Sequence, residues 1–112
     1  LAYCCISTNA RNYAKLGQLM LQNGEWQGKQ LVPQAFTLMM STPQAVPYYG
    51  YSTWIEQDHN PAYYAFRGHL GQFIMVVPEK ELVVVRLGES LPQGTEKAEQ
   101  FYIEYALSLL KK

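Results

Sequence analysis

Residues 72–77, Gln-Phe-Ile-Met-Val-Val, and residues 82–87, Leu-Val-Val-Val-Arg-Leu, are two β-prone runs separated only by Pro78-Glu79-Lys80-Glu81. That spacing commits the chain to an antiparallel hairpin. Branched apolar side chains fit a pleated surface, and a short polar turn can join only antiparallel neighbours. The second run alternates little, as a strand does when it is covered on both faces and set inside a sheet, whereas an edge strand usually carries more charge. Strand segments are also expected at 49–55 and 62–66, on either side of a polar turn at 56–61. If these are its only companions, the 82–87 run lies at a sheet edge with unpaired backbone groups, and another polypeptide segment is expected to pair there.

Helices are expected on both sides of this sheet. Ser7-Thr8-Asn9 offers an N-cap for a segment in which Ala10, Tyr13, Ala14, Leu16, Leu19, Met20 and Leu21 recur at helical spacing, ended by Asn23-Gly24. Residues 26–32 read as an extended loop containing Gly28. Pro33 opens a second, short helix with Phe36, Met39 and Met40 as its expected buried face, and Pro43 and Pro47 close it. Thr95 begins a last helix with an expected apolar stripe of Ala98, Tyr102, Tyr105, Ala106 and Leu109, and Lys111 and Lys112 suit its C-terminal dipole. The expected class is α+β: an antiparallel sheet of about three strands flanked by helices, forming a single domain over residues 1–112.

The charge balance removes several functions. Nine basic and nine acidic side chains leave no field to gather nucleic acid or an anionic membrane. The uninterrupted apolar runs, such as 73–77 and 82–85, are only a few residues long and far too short to span a bilayer. The chain opens at Leu1 without an initiator Met or the basic-then-apolar order of a signal peptide, so a piece of a longer polypeptide is expected. Cys4 and Cys5 are adjacent, a spacing too strained for an ordinary disulfide. With His59 and His69 they lack zinc-site spacing, so two buried thiols, no metal and no cofactor are expected.

The stretch with chemical potential is Phe66-Arg67-Gly68-His69-Leu70-Gly71-Gln72-Phe73, where a histidine lies between glycines just ahead of a buried strand. Glycine there lets a ligand approach the backbone closely. Taken alone, the same pattern also describes a bend beside a structural histidine. Order along the chain adds to it. The segments Ser7-Thr8-Asn9-Ala10-Arg11-Asn12-Tyr13-Ala14-Lys15-Leu16-Gly17-Gln18-Leu19-Met20-Leu21, Asn23-Gly24-Glu25-Trp26, Tyr49-Gly50-Tyr51-Ser52-Thr53-Trp54, Arg67-Gly68-His69-Leu70-Gly71-Gln72 and Val77-Pro78-Glu79-Lys80-Glu81-Leu82 follow one another. In that order they resemble the C-terminal part of serine hydrolases of the β-lactamase and penicillin-binding-protein type, specifically the class C β-lactamase, esterase and 6-aminohexanoate-dimer hydrolase group.

The resemblance implies a partial β-lactamase/transpeptidase-like fold, missing its N-terminal strands and helical domain. It also implies an acyl-enzyme mechanism on a small acyl substrate. In that group a Lys-Thr-Gly or His-x-Gly motif walls the site opposite the nucleophile, and here it is His69-Leu70-Gly71. The resemblance assigns the backbone N–H of Gln72 as one oxyanion donor, Gly71 as room for the acyl group and His69 as polarity beside the leaving group. Leu70, with Tyr51 and Trp54 flanking the wall, would touch substrate. Leu70 replaces the Thr whose hydroxyl holds a β-lactam carboxylate, which points to an esterase, amidase or peptidase rather than a true β-lactamase.

The Ser/Lys nucleophile pair needs Ser-x-x-Lys. The single match, Ser108-x-x-Lys111, follows the wall motif instead of preceding it and reads as coincidence; Ser7-Thr8-Asn9 likewise reads as a helix cap. No Tyr-x-Asn occurs. The resemblance therefore implies that the nucleophile lies in the missing N-terminal part of the same hydrolase, the implied partner, and this chain alone is expected to be inert. An exported location fits the group. The rival class is a non-catalytic binding or self-association module, using Tyr48, Tyr49, Tyr51 and Trp54 as an aromatic patch together with the open sheet edge.

Overall fold

The computed structural model describes residues 8–68, 72–88 and 95–110, with only the backbone of 95–97. Helix α1 (Ala10–Leu21) starts where Asn9 accepts the backbone N–H of Asn12 at 2.9 Å, the cap expected from sequence. It stops at Asn23-Gly24, where Gly24 takes a left-handed backbone and its N–H returns to Leu19 O at 2.9 Å. The segment read as an extended loop is instead a two-residue-per-strand hairpin, β1 (Glu25–Trp26) against β2 (Lys29–Gln30). Gln27 and Gly28 both have positive φ, the backbone that makes a tight hairpin turn.

Helix α2 (Gln34–Met40) follows Pro33 as expected, but its expected buried face is corrected in part. Thr37 is buried, whereas Phe36 and Met39 face solvent and only Met40 joins the core. The cause is a contact from further along the chain: the Thr53 hydroxyl donates to Met40 O, and Gly50 sits directly against the same carbonyl. These contacts roll the helix so that its C-terminal carbonyls face the 48–54 loop.

The main sheet has four antiparallel strands where about three were expected, in the order β3 (Trp54–Glu56), β4 (Tyr63–Arg67), β5 (Phe73–Val77), β6 (Leu82–Arg86). A single 3-10 turn at Pro78–Lys80 links β5 to β6, with Val77 opposite Leu82 and Phe73 opposite Arg86. Every residue of β5 is buried. Those of β6 are half-buried, and β5 is its only strand partner among the described residues. The 82–87 run thus lies at the edge of the described sheet, despite its interior-like composition.

Alternation sends side chains into two separate layers. Ile55, Tyr64 and Val76 meet Met20, Leu21 and Met40 on one face. Tyr63, Ala65, Phe73, Met75 and Val77 meet Ile103, Ala98, Tyr102 and Leu107 of α3 (Thr95–Leu110) on the other. The stripe expected for α3 is corrected in part. Ala98 and Tyr102 do pack inward, but Tyr105 and Leu109 are exposed, and the fully buried positions are Glu99 and Ile103. The cysteines and Lys111–Lys112 lie outside the described residues.

Candidate active-site wall

Register brings most of the singled-out residues to one end of the sheet. Strand β3 begins with Trp54 opposite Ala65, β4 ends at Arg67, and β5 begins at Phe73 opposite Arg67. The β4–β5 hairpin is closed by Gly68, whose N–H donates to Gln72 O at 2.7 Å. The N–H of Gln72 finds no acceptor among the described residues. Gln72 is half-buried and stands beside a fully buried strand. His69, Leu70 and Gly71, the expected wall motif, lie outside the described residues.

The aromatic residues assemble as an exposed cluster. Tyr48 stacks parallel to Trp54 with centroids 6.2 Å apart, Tyr49 meets the Trp54 edge at 5.0 Å, and Phe36 leans on Tyr51 at 5.9 Å. Trp54 remains 36% exposed. Its indole also lies against the Arg67 guanidinium, 5.0 Å from ring centroid to Cζ. Tyr51 contacts α2 and Trp54 contacts the end of β4, so the two expected substrate contacts are carried by different elements.

Sequence reasoning missed the polar node behind this surface. Glu99 of α3 is fully buried. Its carboxylate accepts Arg67 Nε at 2.8 Å, Arg67 Nη2 at 2.7 Å and the Tyr63 hydroxyl at 3.0 Å. Arg67 Nη2 also reaches Glu56 at 3.0 Å. Burial works against the Arg67 charge, but the bonds to Glu99 and Glu56 outweigh it and hold the guanidinium ionised. Burial, then the Glu99 charge, push the Tyr63 phenol well above its usual range, and burial pushes Tyr64 up to about 12. Both phenols are neutral donors at ordinary pH. Paired burial is the general condition under which a carboxylate enters a core, but the partner lies 32 positions upstream and no local pattern announces it.

The other candidates take ordinary structural places. Ser108 donates to Tyr105 O at 2.6 Å on the exposed side of α3, as helix serines do. His59 Nδ1 lies 2.7 Å from Pro61 O, with its ring edge-on to Tyr63. Among the described residues no three His, Cys, Asp or Glu side chains converge as a metal site, and no helix is long and apolar enough to cross a membrane. A shallow hollow of about 180 Å³ beside Ser41, Gln57 and Tyr64 lies toward the opposite end of the sheet from Arg67.

No family model and no curated protein matches the sequence. Among solved structures, the chain is similar to a Bacillus anthracis protein titled "Putative 6-aminohexanoate-dimer hydrolase", at 26% identity and a TM-score of 0.74. The match covers 91% of this chain but 29% of that protein, so the chain spans less than a third of its neighbour's length. The architecture is therefore α+β and matches part of a β-lactamase-like fold. The neighbour supports a hydrolase-related origin for the chain.

Proposed function

We propose that this chain forms the C-terminal part of a β-lactamase-related serine hydrolase that cleaves small esters or amides through an acyl-enzyme. The observation that supports the reading is the match to part of a protein titled "Putative 6-aminohexanoate-dimer hydrolase", together with a Gln72 N–H at the mouth of the β4–β5 hairpin that has no acceptor among the described residues. In this proposal a serine from a preceding segment attacks the substrate carbonyl while its lysine takes the hydroxyl proton, and the leaving alcohol or amine departs protonated. Water then frees the acyl group. The oxyanion formed in each step accepts hydrogen bonds from Gln72 N–H and from the nucleophile's own peptide. One such donor is worth about 3 to 4 kcal/mol of barrier in comparable sites. His69, Leu70 and Gly71 line the wall, and Tyr51 and Trp54 border the substrate. The preceding segment pairs with the free edge of β6.

The test is intact mass after exposure to a fluorophosphonate, with p-nitrophenyl acetate hydrolysis measured in parallel. The 112-residue chain is expected to gain no adduct. A longer polypeptide carrying it behind a Ser-x-x-Lys segment is expected to gain one adduct and to hydrolyse the ester. An adduct on the short chain would overturn the division of the site between two segments. A longer polypeptide that neither labels nor turns over would overturn the hydrolase reading.

One observation favours a second reading. Phe101, Tyr105 and Leu109 recur every four residues along the exposed side of α3, and each is at least half exposed. With the edge of β6, which has no second strand partner among the described residues, this surface suits self-association without catalysis. A concentration-dependent dimer in sedimentation velocity, together with absent labelling of the longer polypeptide, would favour it.

A further inference from the structure

Glu99 is a buried carboxylate that the acyl-transfer chemistry does not use. A charged pair inside a protein is a poor route to stability, because the desolvation of both ions offsets most of their attraction and apolar side chains of similar size hold as well. What ionic hydrogen bonds add is direction. A guanidinium fork offers its N–H groups in one plane at fixed angles, so its partners fix its orientation as well as its position.

The fork of Arg67 is held along its Nε–Nη2 side and over one ring face. Glu99 takes Nε and Nη2 with its two oxygens, Glu56 takes Nη2 again, and Trp54 lies against the cation. Glu99 is itself fixed by the Tyr63 hydroxyl, two strand positions before the Ala65 that faces Trp54. The backbone of Arg67 is the last rung of β4. It pairs with Phe73 across the ladder, and the next residue, Gly68, holds the carbonyl of Gln72. One residue step along the chain and one hydrogen bond, from Gly68 N–H to Gln72 O, link the backbone of Arg67 to the carbonyl of Gln72.

We infer that Glu99 is a positioning residue: acting through Arg67, it ties α3 to the mouth of the β4–β5 hairpin and sets where the Gln72 peptide stands. The inference rests on the proposed role of that peptide for its catalytic meaning, but the placement itself is a property of the chain without substrate. Apolar contacts of Ile103, Tyr102 and Leu107 already fasten α3 to the sheet. The Glu99 node adds a fixed point at the sheet end where the hairpin closes.

The experiment is amide hydrogen exchange by NMR on the 112-residue chain. Gly68 reports the mouth, and Val84, in the middle of β6 opposite Met75, reports the sheet. Glu99→Gln keeps the shape but turns an amide NH2 toward the fork, and Arg67→Lys keeps the charge but not the geometry. In both, Gly68 is expected to exchange at least about tenfold faster while Val84 is unchanged, a local opening below the global one. The Gln72 amide resonance is expected to shift. Tyr63→Phe leaves the Arg67–Glu99 fork in place, and Gly68 should keep its protection. Should Glu99→Gln not fold, Arg67→Lys decides. Unchanged exchange at Gly68, or equal acceleration at Gly68 and Val84, would overturn the inference and reduce the node to general stabilisation. Because no substrate enters this readout, failure of the hydrolase proposal appears only in the ester assay and leaves the exchange result standing.

Discussion

The two faces of the sheet are covered by helices that hold on by different means. On the α1 face the contact is apolar and very close: a Cβ added to Gly17 would lie 2.5 Å from Val83 Cγ1 and 3.0 Å from Ile74 Cγ2. On the α3 face a larger apolar cluster surrounds an ionic node. Close packing without polar atoms tolerates sliding, because dispersion is weakly directional. A two-point carboxylate–guanidinium fork tolerates far less. The α1 face therefore supplies cohesion, and the α3 face supplies cohesion and register.

The comparison breaks first at Glu99. Glu99→Ala leaves Arg67 buried with half its partners, and a loss of about 3 to 5 kcal/mol is expected in urea unfolding. The double substitution Arg67→Met with Glu99→Leu should recover most of that. If the double variant is as unstable as the single one, the ions themselves contribute net stability and the contrast between the faces is wrong.

A smaller effect belongs to the α1 face. Gly17→Ala forces Val83 or the helix to move, at an expected cost of about 1 to 3 kcal/mol against the gain in helix propensity. Val83→Ala in the same chain should relieve most of it, because the clash is with that side chain. No coupling between the two substitutions in a double-mutant cycle would mean that α1 packs less closely than described.

The smallest effect separates the faces by pH. Tyr64 faces α1 and Tyr63 faces α3, and both have phenols raised in the folded chain. A raised folded pKa means that the unfolded chain ionises first, near pH 10, so stability is full below that pH and falls above it. Tyr64 alone should remove about 2 kcal/mol between pH 10 and 12. Tyr64→Phe should flatten that limb of a melting-temperature profile, and Tyr63→Phe should flatten it further. A limb unchanged in both variants would show that neither phenol is desolvated.

The residues that could be read from sequence are those whose neighbours in the chain decide their fate. Asn9 caps α1 because the N–H it accepts is three residues away, and the β5–β6 hairpin follows from two β-prone runs and the short polar turn between them. Misreadings came where distant contacts decide. Helix α3 is apolar on several sides, so Tyr105 and Leu109 looked as able to face inward as Ile103, and only the sheet chooses among them. Phe36 lost the core to Thr37 because α2 is anchored from a loop ten or more residues downstream. The donor role of Gln72 is implied only by resemblance, and nothing in the sequence near Arg67 or Glu99 announces their pairing, because 32 positions separate them.

The anchoring of α2 has a consequence for the exposed rings. The Thr53 hydroxyl and the backbone of Gly50 lock the 48–54 loop to the carbonyl end of the helix from beneath. Phe36 and Tyr51 thus lean together above a buried clasp, and neither needs a partner molecule to find its place. A surface whose rings are already arrested loses little conformational entropy on contact, so whatever lands there keeps more of the free energy it gains.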